Sequence, residues 1–347
     1  MAGSRPVAEQ KGCLEMRFLP LLTLCAAIAG IAQQAPSVPQ VSPTPEATLR
    51  VSTHLVLMDL IALGAKNELP DSTLKKEDLQ VFDDGHRVAI KTFDTGAGTR
   101  PIALWFVVQC KMPDWEAEGS GLFAGQIKLL KPALEHLDKQ DAVAVAHWCD
   151  NGDSKVDLLP TSNIDQAATT LEEVLAATPD GTYKHERPGE LALQKTLQLI
   201  VEATRSLPHD TVPVVVFLYG DFSAMPRGEA DHFVDELLQT SAIVFGLKDH
   251  RSPKIMGLNW VGGEQGAIAN YIAVQTGGEY LRVTPESYAR GLEGILKQLH
   301  FRYELGFQPE ALDGKRHKLT VKLTGAGKKQ HHGVRLRYRT AYVPVSQ

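Results

Sequence analysis

Apolar and polar positions divide the chain into three kinds of stretch. One long apolar run is Ile102–Cys110 within Pro101–Met112 (PIALWFVVQCKM), interrupted only by Gln109. A run of this length, rich in β-branched and aromatic residues at its end, predicts a strand buried on both faces, as in a parallel sheet. Beyond it strands and helices alternate. Helix near Leu122–Lys139 is followed by strand Ala142–Cys149, a turn at Asp150–Asp153, and an antiparallel edge strand Lys155–Leu159. Ser162 with Asp165 then opens a helix as a capping box would. The series continues with helix Glu190–Ser206, strand Val212–Tyr219, helix Glu229–Thr240, strand Ala242–Leu247, helix Gln265–Thr276 closed by Gly277-Gly278, strand Tyr280–Val283, and helix Glu286–Leu299 capped at Thr284-Pro285. Such alternation predicts a doubly wound, mostly parallel six-stranded sheet.

Both flanks read as β. On the N-terminal side are Leu49–Leu63, Leu79–Phe82, the hairpin turn Asp83-Asp84-Gly85, and Val88–Phe93. On the C-terminal side are Arg302–Gln308, His317–Leu323 and Val334–Tyr342, with turns at Asp313-Gly314 and Gly325–Gly327. Neither flank is large enough for its own core. The expectation is one all-β sandwich formed by the N- and C-terminal segments, 47–98 and 301–343, with the α/β domain of 99–300 inserted between its halves.

Before this lies a different composition. Met16-Arg17 precedes the apolar run Phe18–Ile31, which ends in small residues up to Ala32. A charged start, a short apolar core and small residues describe a signal peptide over 1–32, with cleavage after Ala32 and Met16 as the expected true start. The run is too short to span a membrane, so no transmembrane segment is expected after cleavage. Residues 33–46 are a Pro-rich linker. The 347-residue chain has a net charge of −5 and four cysteines. That excludes a disulfide-built scaffold and argues against nucleic acid as a partner. Export would leave Cys110 and Cys149 in the mature protein, in a periplasmic, envelope or secreted setting.

Strand ends are where an open α/β sheet binds its ligands, which directs attention to Gln109–Pro113. Catalytic motifs are missing: there is no G-x-S-x-G, H-E-x-x-H or C-x-x-C. Asp114, Glu116 and Glu118 form an acidic loop after the central strand, expected to be solvated. His147 lies two residues from Cys149, on the same strand face, and a thiol enzyme using Cys110 or Cys149 with His147 is one alternative. His331-His332 is expected in an exposed turn. Lys315, Arg316, Lys318, Lys328, Lys329, Arg335, Arg337 and Arg339 make the C-terminal strands basic, read as the wet face of a sheet with a weak affinity for anionic envelope surfaces.

The segments LKKEDLQVFDDG (Leu74–Gly85), PIALWFVV, Gly277-Gly278-Glu279-Tyr280-Leu281 and YELGFQPEALDGKRHKLTVKL (Tyr303–Leu323) resemble those of von Willebrand factor type A-related proteins exported by acidobacteria. The likeness runs from about Leu49 to Val343. It implies a von Willebrand A-like sheet, which in that family often holds a divalent cation through Asp-x-Ser-x-Ser, a distant Thr and a distant Asp. By position these fall on Gln109, Lys111 and Pro113, on Thr182, and near Asp221. An amide, an ammonium and a proline cannot replace a carboxylate and two hydroxyls around a hard cation. The metal site is therefore expected to be degenerate, with no cofactor; Lys111 either pairs with Asp221 in its place or points to solvent. Cys110 and Cys149 end neighbouring strands, about 4.8 Å apart in such a sheet, and an export compartment favours a disulfide between them; two buried free thiols are the alternative. The expected function is a non-enzymatic, exported protein-binding or scaffold protein that meets an unknown protein partner at its strand-end face. An adhesion-type module holding Mg2+ through Asp114, Thr182 and Asp221 is the other binding alternative.

Overall fold

The computed structural model describes residues 55–64, 73–95, 100–109, 127–149, 152–176, 188–208, 210–219, 227–249, 268–284 and 287–344. All of these belong to one compact unit, Ser52–Gln347. In chain order the strands are β1 (Val56–Leu63), β2 (Leu79–Asp83), β3 (His86–Val88), β4 (Ile90–Asp94), β5 (Ile102–Gln109), β6 (Ala142–Trp148), β7 (Ser154–Thr161), β8 (Val212–Tyr219), β9 (Ile243–Asp249), β10 (Tyr280–Val283), β11 (Tyr303–Phe307), β12 (His317–Leu323), β13 (Arg335–Tyr338) and β14 (Ala341–Tyr342). The helices are α1 (Ile127–Leu134), α2 (Ile164–Ala176), α3 (Pro188–Arg205), α4 (Arg227–Gln239), α5 (Ile268–Thr276), α6 (Tyr288–His300) and α7 (Gly325–Gln330).

The expected fold class is the one observed. A six-stranded sheet runs β10-β9-β8-β5-β6-β7, parallel except for β7, which returns antiparallel beside β6 at the edge. β5 is buried on both faces because its alternate residues serve two separate cores. Ile102, Leu104, Phe106 and Val108 pack with α1, α2 and α6, whereas Trp105 and Val107 pack with α3, α4 and α5. Continuous apolarity is the signature of a strand covered by helices on both sides.

Two four-stranded antiparallel sheets, β13-β1-β11-β4 and β14-β12-β2-β3, form the framework. Each mixes strands from the two ends of the chain: β1 lies between β11 and β13, and β2 pairs with β12. Their shared core includes Met58, Leu60, Val81, Leu305, Phe307 and Leu319.

Several expected elements are revised. Val88–Phe93 is two strands separated at Ala89, with β3 in one framework sheet and β4 in the other. Val334–Tyr342 divides likewise at Arg339-Thr340. The second break has a local cause: the Thr340 N–H donates to the Gln275 carbonyl at the end of α5, and its own carbonyl accepts from the Leu319 N–H. Gly325–Gly327 opens a helix instead of a turn, because the Thr324 hydroxyl caps it by accepting the Gly327 N–H at 3.0 Å. The cap of α2 is Asn163, whose side-chain oxygen accepts the Gln166 N–H at 3.1 Å, one residue beyond the expected Ser162. Ser287 stands at the cap position of α6, past Thr284-Pro285.

The basic C-terminal segment is also not a uniformly wet face. Arg316 is ion-paired with Asp231 and Asp235 of α4, Arg337 pairs with Glu279, and Arg339 is buried. His331 is buried too, with its Nε2 3.2 Å from Asp78 Oδ2, so only His332 of that pair is exposed. Arg316 and Arg337 turn inward because they meet carboxylates of the α/β unit, Asp231, Asp235 and Glu279.

Candidate functional site

The chain order reverses at β5. From it the sheet grows one way through β6 and β7, and the other way through β8, β9 and β10. The crevice outside the carboxyl ends of β5 and β8 is thus the topological switch point, the place where such sheets bind ligands. Gln109 is the last residue of β5, paired with Trp148, and Tyr219 ends β8 one residue before Gly220-Asp221. Cys110, Lys111, Pro113, Asp114, Thr182 and Asp221 lie outside the described residues, as do the 1–32 and 33–46 segments.

Cys149 follows β6 directly and is buried. Its N–H donates to Asp153 at 2.8 Å and its carbonyl accepts from Gly152 at 3.0 Å, which closes the turn into β7. His147 shares its strand face but is engaged elsewhere. Nδ1 lies 2.7 Å from Asp157 Oδ2 and Nε2 lies 3.4 Å from Asp153 Oδ2. The hydrogen bond to Asp157 raises the His147 pKa above its ordinary value, against the opposing effect of burial. Both His147 ring nitrogens thus face carboxylates of the β6–β7 hairpin.

At the opposite end of β5, Asp141 is fully committed to structure. Burial pushes its pKa up, but the bond with His300 and the N–H groups of Ile102 and Asp138 outweigh this and hold it low.

A second constellation was not anticipated from the sequence. Asp83 ends β2, Asp84 and Gly85 turn the chain at φ 46° and 89°, and His317 opens β12 beside Tyr342. His317 Nδ1 lies 3.3 Å from Asp83 Oδ1 and 3.0 Å from Asp84 Oδ2, while Nε2 lies 3.1 Å from Asp313. The VFDDG and ALDGKRHKL stretches therefore meet in space. In the sequence each reads only as a turn; the signal available was that both carry acids, and one of them a histidine, immediately at a strand boundary.

No family model matches the chain, and no curated protein matches it. Solved structures do. BatB from Bacteroides thetaiotaomicron aligns with 57% of this chain and 97% of its own at 17% identity and a TM-score of 0.39. An aerotolerance-related membrane protein from Bacteroides fragilis NCTC 9343 aligns with 57% of this chain and 98% of its own at 16% identity and a TM-score of 0.37. Proximal thread matrix protein 1 from the mussel byssus, solved with a zinc-occupied MIDAS motif, covers 63% of this chain and 49% of its own at 10% identity and a TM-score of 0.42. At these scores the likenesses settle neither family nor activity.

Proposed function

We propose that this chain is an exported, non-enzymatic protein-binding or scaffold protein, related to the von Willebrand A-type proteins of acidobacteria. Its strand-end face would engage a protein partner without a metal ion. The reading is carried by one observation: the central strand ends at the switch point with Gln109, and the sequence continues as Cys-Lys-Met-Pro. By sequence position Lys111 stands in for a hydroxyl of the metal motif, and an ammonium cannot serve as an oxygen ligand. Among the described residues no helix is long and apolar enough to cross a membrane.

Calorimetry checks this. The wild type is expected to take up no stoichiometric Mg2+ at the strand ends at millimolar concentration. A variant carrying Gln109→Asp, Lys111→Ser and Pro113→Ser is expected to gain one equivalent, with Thr182 and Asp221 completing the site. Wild-type uptake that Asp221→Ala abolishes would establish the adhesion-type alternative instead. A photoreactive side chain at position 114 should cross-link a discrete protein in the envelope, equally with and without chelator; cross-linking that chelator abolishes counts against the proposal.

The same reading includes a Cys110–Cys149 disulfide. Val108↔His147 and Gln109↔Trp148 are paired in register, and Cys110 and Cys149 are the next residues in the sequence. Neighbouring strands, about 4.8 Å apart, match the Cα separation a disulfide needs. Peptide mapping of the unreduced protein should find these two cysteines joined; two free thiols would rule the bond out. Closing that loop is expected to contribute about 2–4 kcal/mol.

A further inference from the structure

We propose that Asp83, Asp84 and His317 form a binding site for a divalent transition-metal ion of the zinc type, at the end of the β14-β12-β2-β3 framework sheet and separate from the strand-end face.

Three side chains converge there: Asp83, Asp84 and His317 each offer a ligand atom, all within 4.8 Å of one another, and His317 Nδ1 faces Asp83 Oδ1 and Asp84 Oδ2. Asp83 is only 2% exposed, and its Oδ1 has no hydrogen-bond partner; neither has His317 Nδ1. His317 Nδ1 faces Asp83 Oδ1 at 3.3 Å as an ion pair without hydrogen-bond geometry, which leaves a buried carboxylate oxygen incompletely satisfied, at a cost. A cation bonded to it removes that cost.

The other polar atom of each side chain is occupied. Asp83 Oδ2 accepts the Tyr342 hydroxyl at 2.7 Å. Asp84 Oδ1 accepts the Lys318 N–H at 2.8 Å. His317 Nε2 lies 3.1 Å from Asp313 Oδ1, which also accepts the Lys315 N–H at 2.9 Å. A carboxylate behind the distal nitrogen of a metal-binding imidazole fixes the tautomer, leaving the other nitrogen free to ligate. The three ligands are thus held by outer partners, each presenting its remaining atom to one point.

The spacings suit a small ion. His317 Nδ1 is 3.3 Å from Asp83 Oδ1 and 3.0 Å from Asp84 Oδ2. Metal bonds of about 2.1 Å give ligand–ligand edges of about 3.0 Å in an octahedron and about 3.4 Å in a tetrahedron. One imidazole with two carboxylates favours zinc-type ions over magnesium or calcium, which prefer oxygen alone. Charge agrees: Asp83, Asp84 and Asp313 surround a single imidazole, and a divalent ion offsets most of that excess.

The experiment uses untagged, chelator-treated full-length protein titrated with zinc(II) alone by calorimetry at about pH 8, which limits proton competition for the imidazole. The expected result is one equivalent whose affinity falls by more than about tenfold in Asp84→Asn and in His317→Asn. Asp84→Asn preserves the turn, since asparagine also tolerates positive φ, and it decides the matter alone if His317→Asn does not fold. His147→Asn, which alters the separate His147–Asp153 pair, should leave this affinity unchanged. No zinc uptake by the wild type, as a purely ion-paired protonated His317 would give, or uptake that Asp84→Asn leaves intact, overturns the proposal.

Discussion

Replacing Arg302 with leucine is expected to destabilise the Ser52–Gln347 unit by on the order of 3–5 kcal/mol. Arg302 is 0% exposed yet carries a full charge between α6 and β11. Its Nε donates to Asp59 Oδ1 at 2.8 Å, Nη1 to the Leu299 carbonyl at 2.6 Å, and Nη2 to the Arg100 carbonyl at 3.3 Å. Arg100 and Leu299–Arg302 are the two places where the chain passes between framework and α/β layers, so one guanidinium pins both crossings to β1. It also satisfies a carbonyl in the last turn of α6 that the helix itself cannot. Leucine fills much of the volume but strands the Asp59 carboxylate and two carbonyls in a nearly water-free site. For a native stability of about 5–15 kcal/mol, this is a large fraction, and the melting temperature should fall by about 10 °C. Urea unfolding of Arg302→Leu beside Arg335→Leu, at an exposed position on β13, is the measurement. A loss under about 1 kcal/mol at Arg302 would show that the desolvation of the charge cancels its bonds.

Gly278→Ala should cost about 3 kcal/mol through overpacking. A Cβ there would sit 1.8 Å from the Val244 carbonyl oxygen and 2.7 Å from its carbon. Val244 lies in β9, an interior strand paired on both sides, with its N–H bonded to Thr276 Oγ1 at 3.1 Å. Neither backbone can retreat without breaking the sheet. The neighbouring Gly277 turns α5 into β10 with φ 89°, which brings Gly278 into this approach. Gly294→Ala is the contrasting variant: its Cβ would meet nothing within 4 Å in the middle of α6. There alanine should stabilise by about 0.5–1 kcal/mol. The same chemical change is thus expected to act with opposite signs at the two sites. Equal effects in denaturant unfolding would refute the steric account.

How much was legible in the sequence differs from element to element. Ile102–Val108 declared both its faces, because an apolar side chain at every position leaves no face for water. Tyr280–Val283 and His317–Leu323 were bounded correctly by the turn residues beside them. The location of the topological switch point followed from the alternation of strands and helices, since that alternation forces a reversal at the central strand. Its side chains, from Lys111 to Asp221, remain outside the described residues, so their chemistry is known from the sequence alone.

Other features needed the tertiary structure. Alternation continues across Ala89 and across Arg339-Thr340, so periodicity gave no sign that the chain changes sheets there. Arg316, Arg337 and Arg339 looked like solvent-facing cations; their carboxylate and carbonyl partners come from segments far away in the chain. Asp83 and His317 are more than two hundred residues apart and meet because β2 pairs with β12. Hydrophobic period reports which side of an element is dry, a property of neighbours three or four residues away. Which element lies opposite, and hence which charges and ligands meet, depends on long-range pairing that no local pattern encodes.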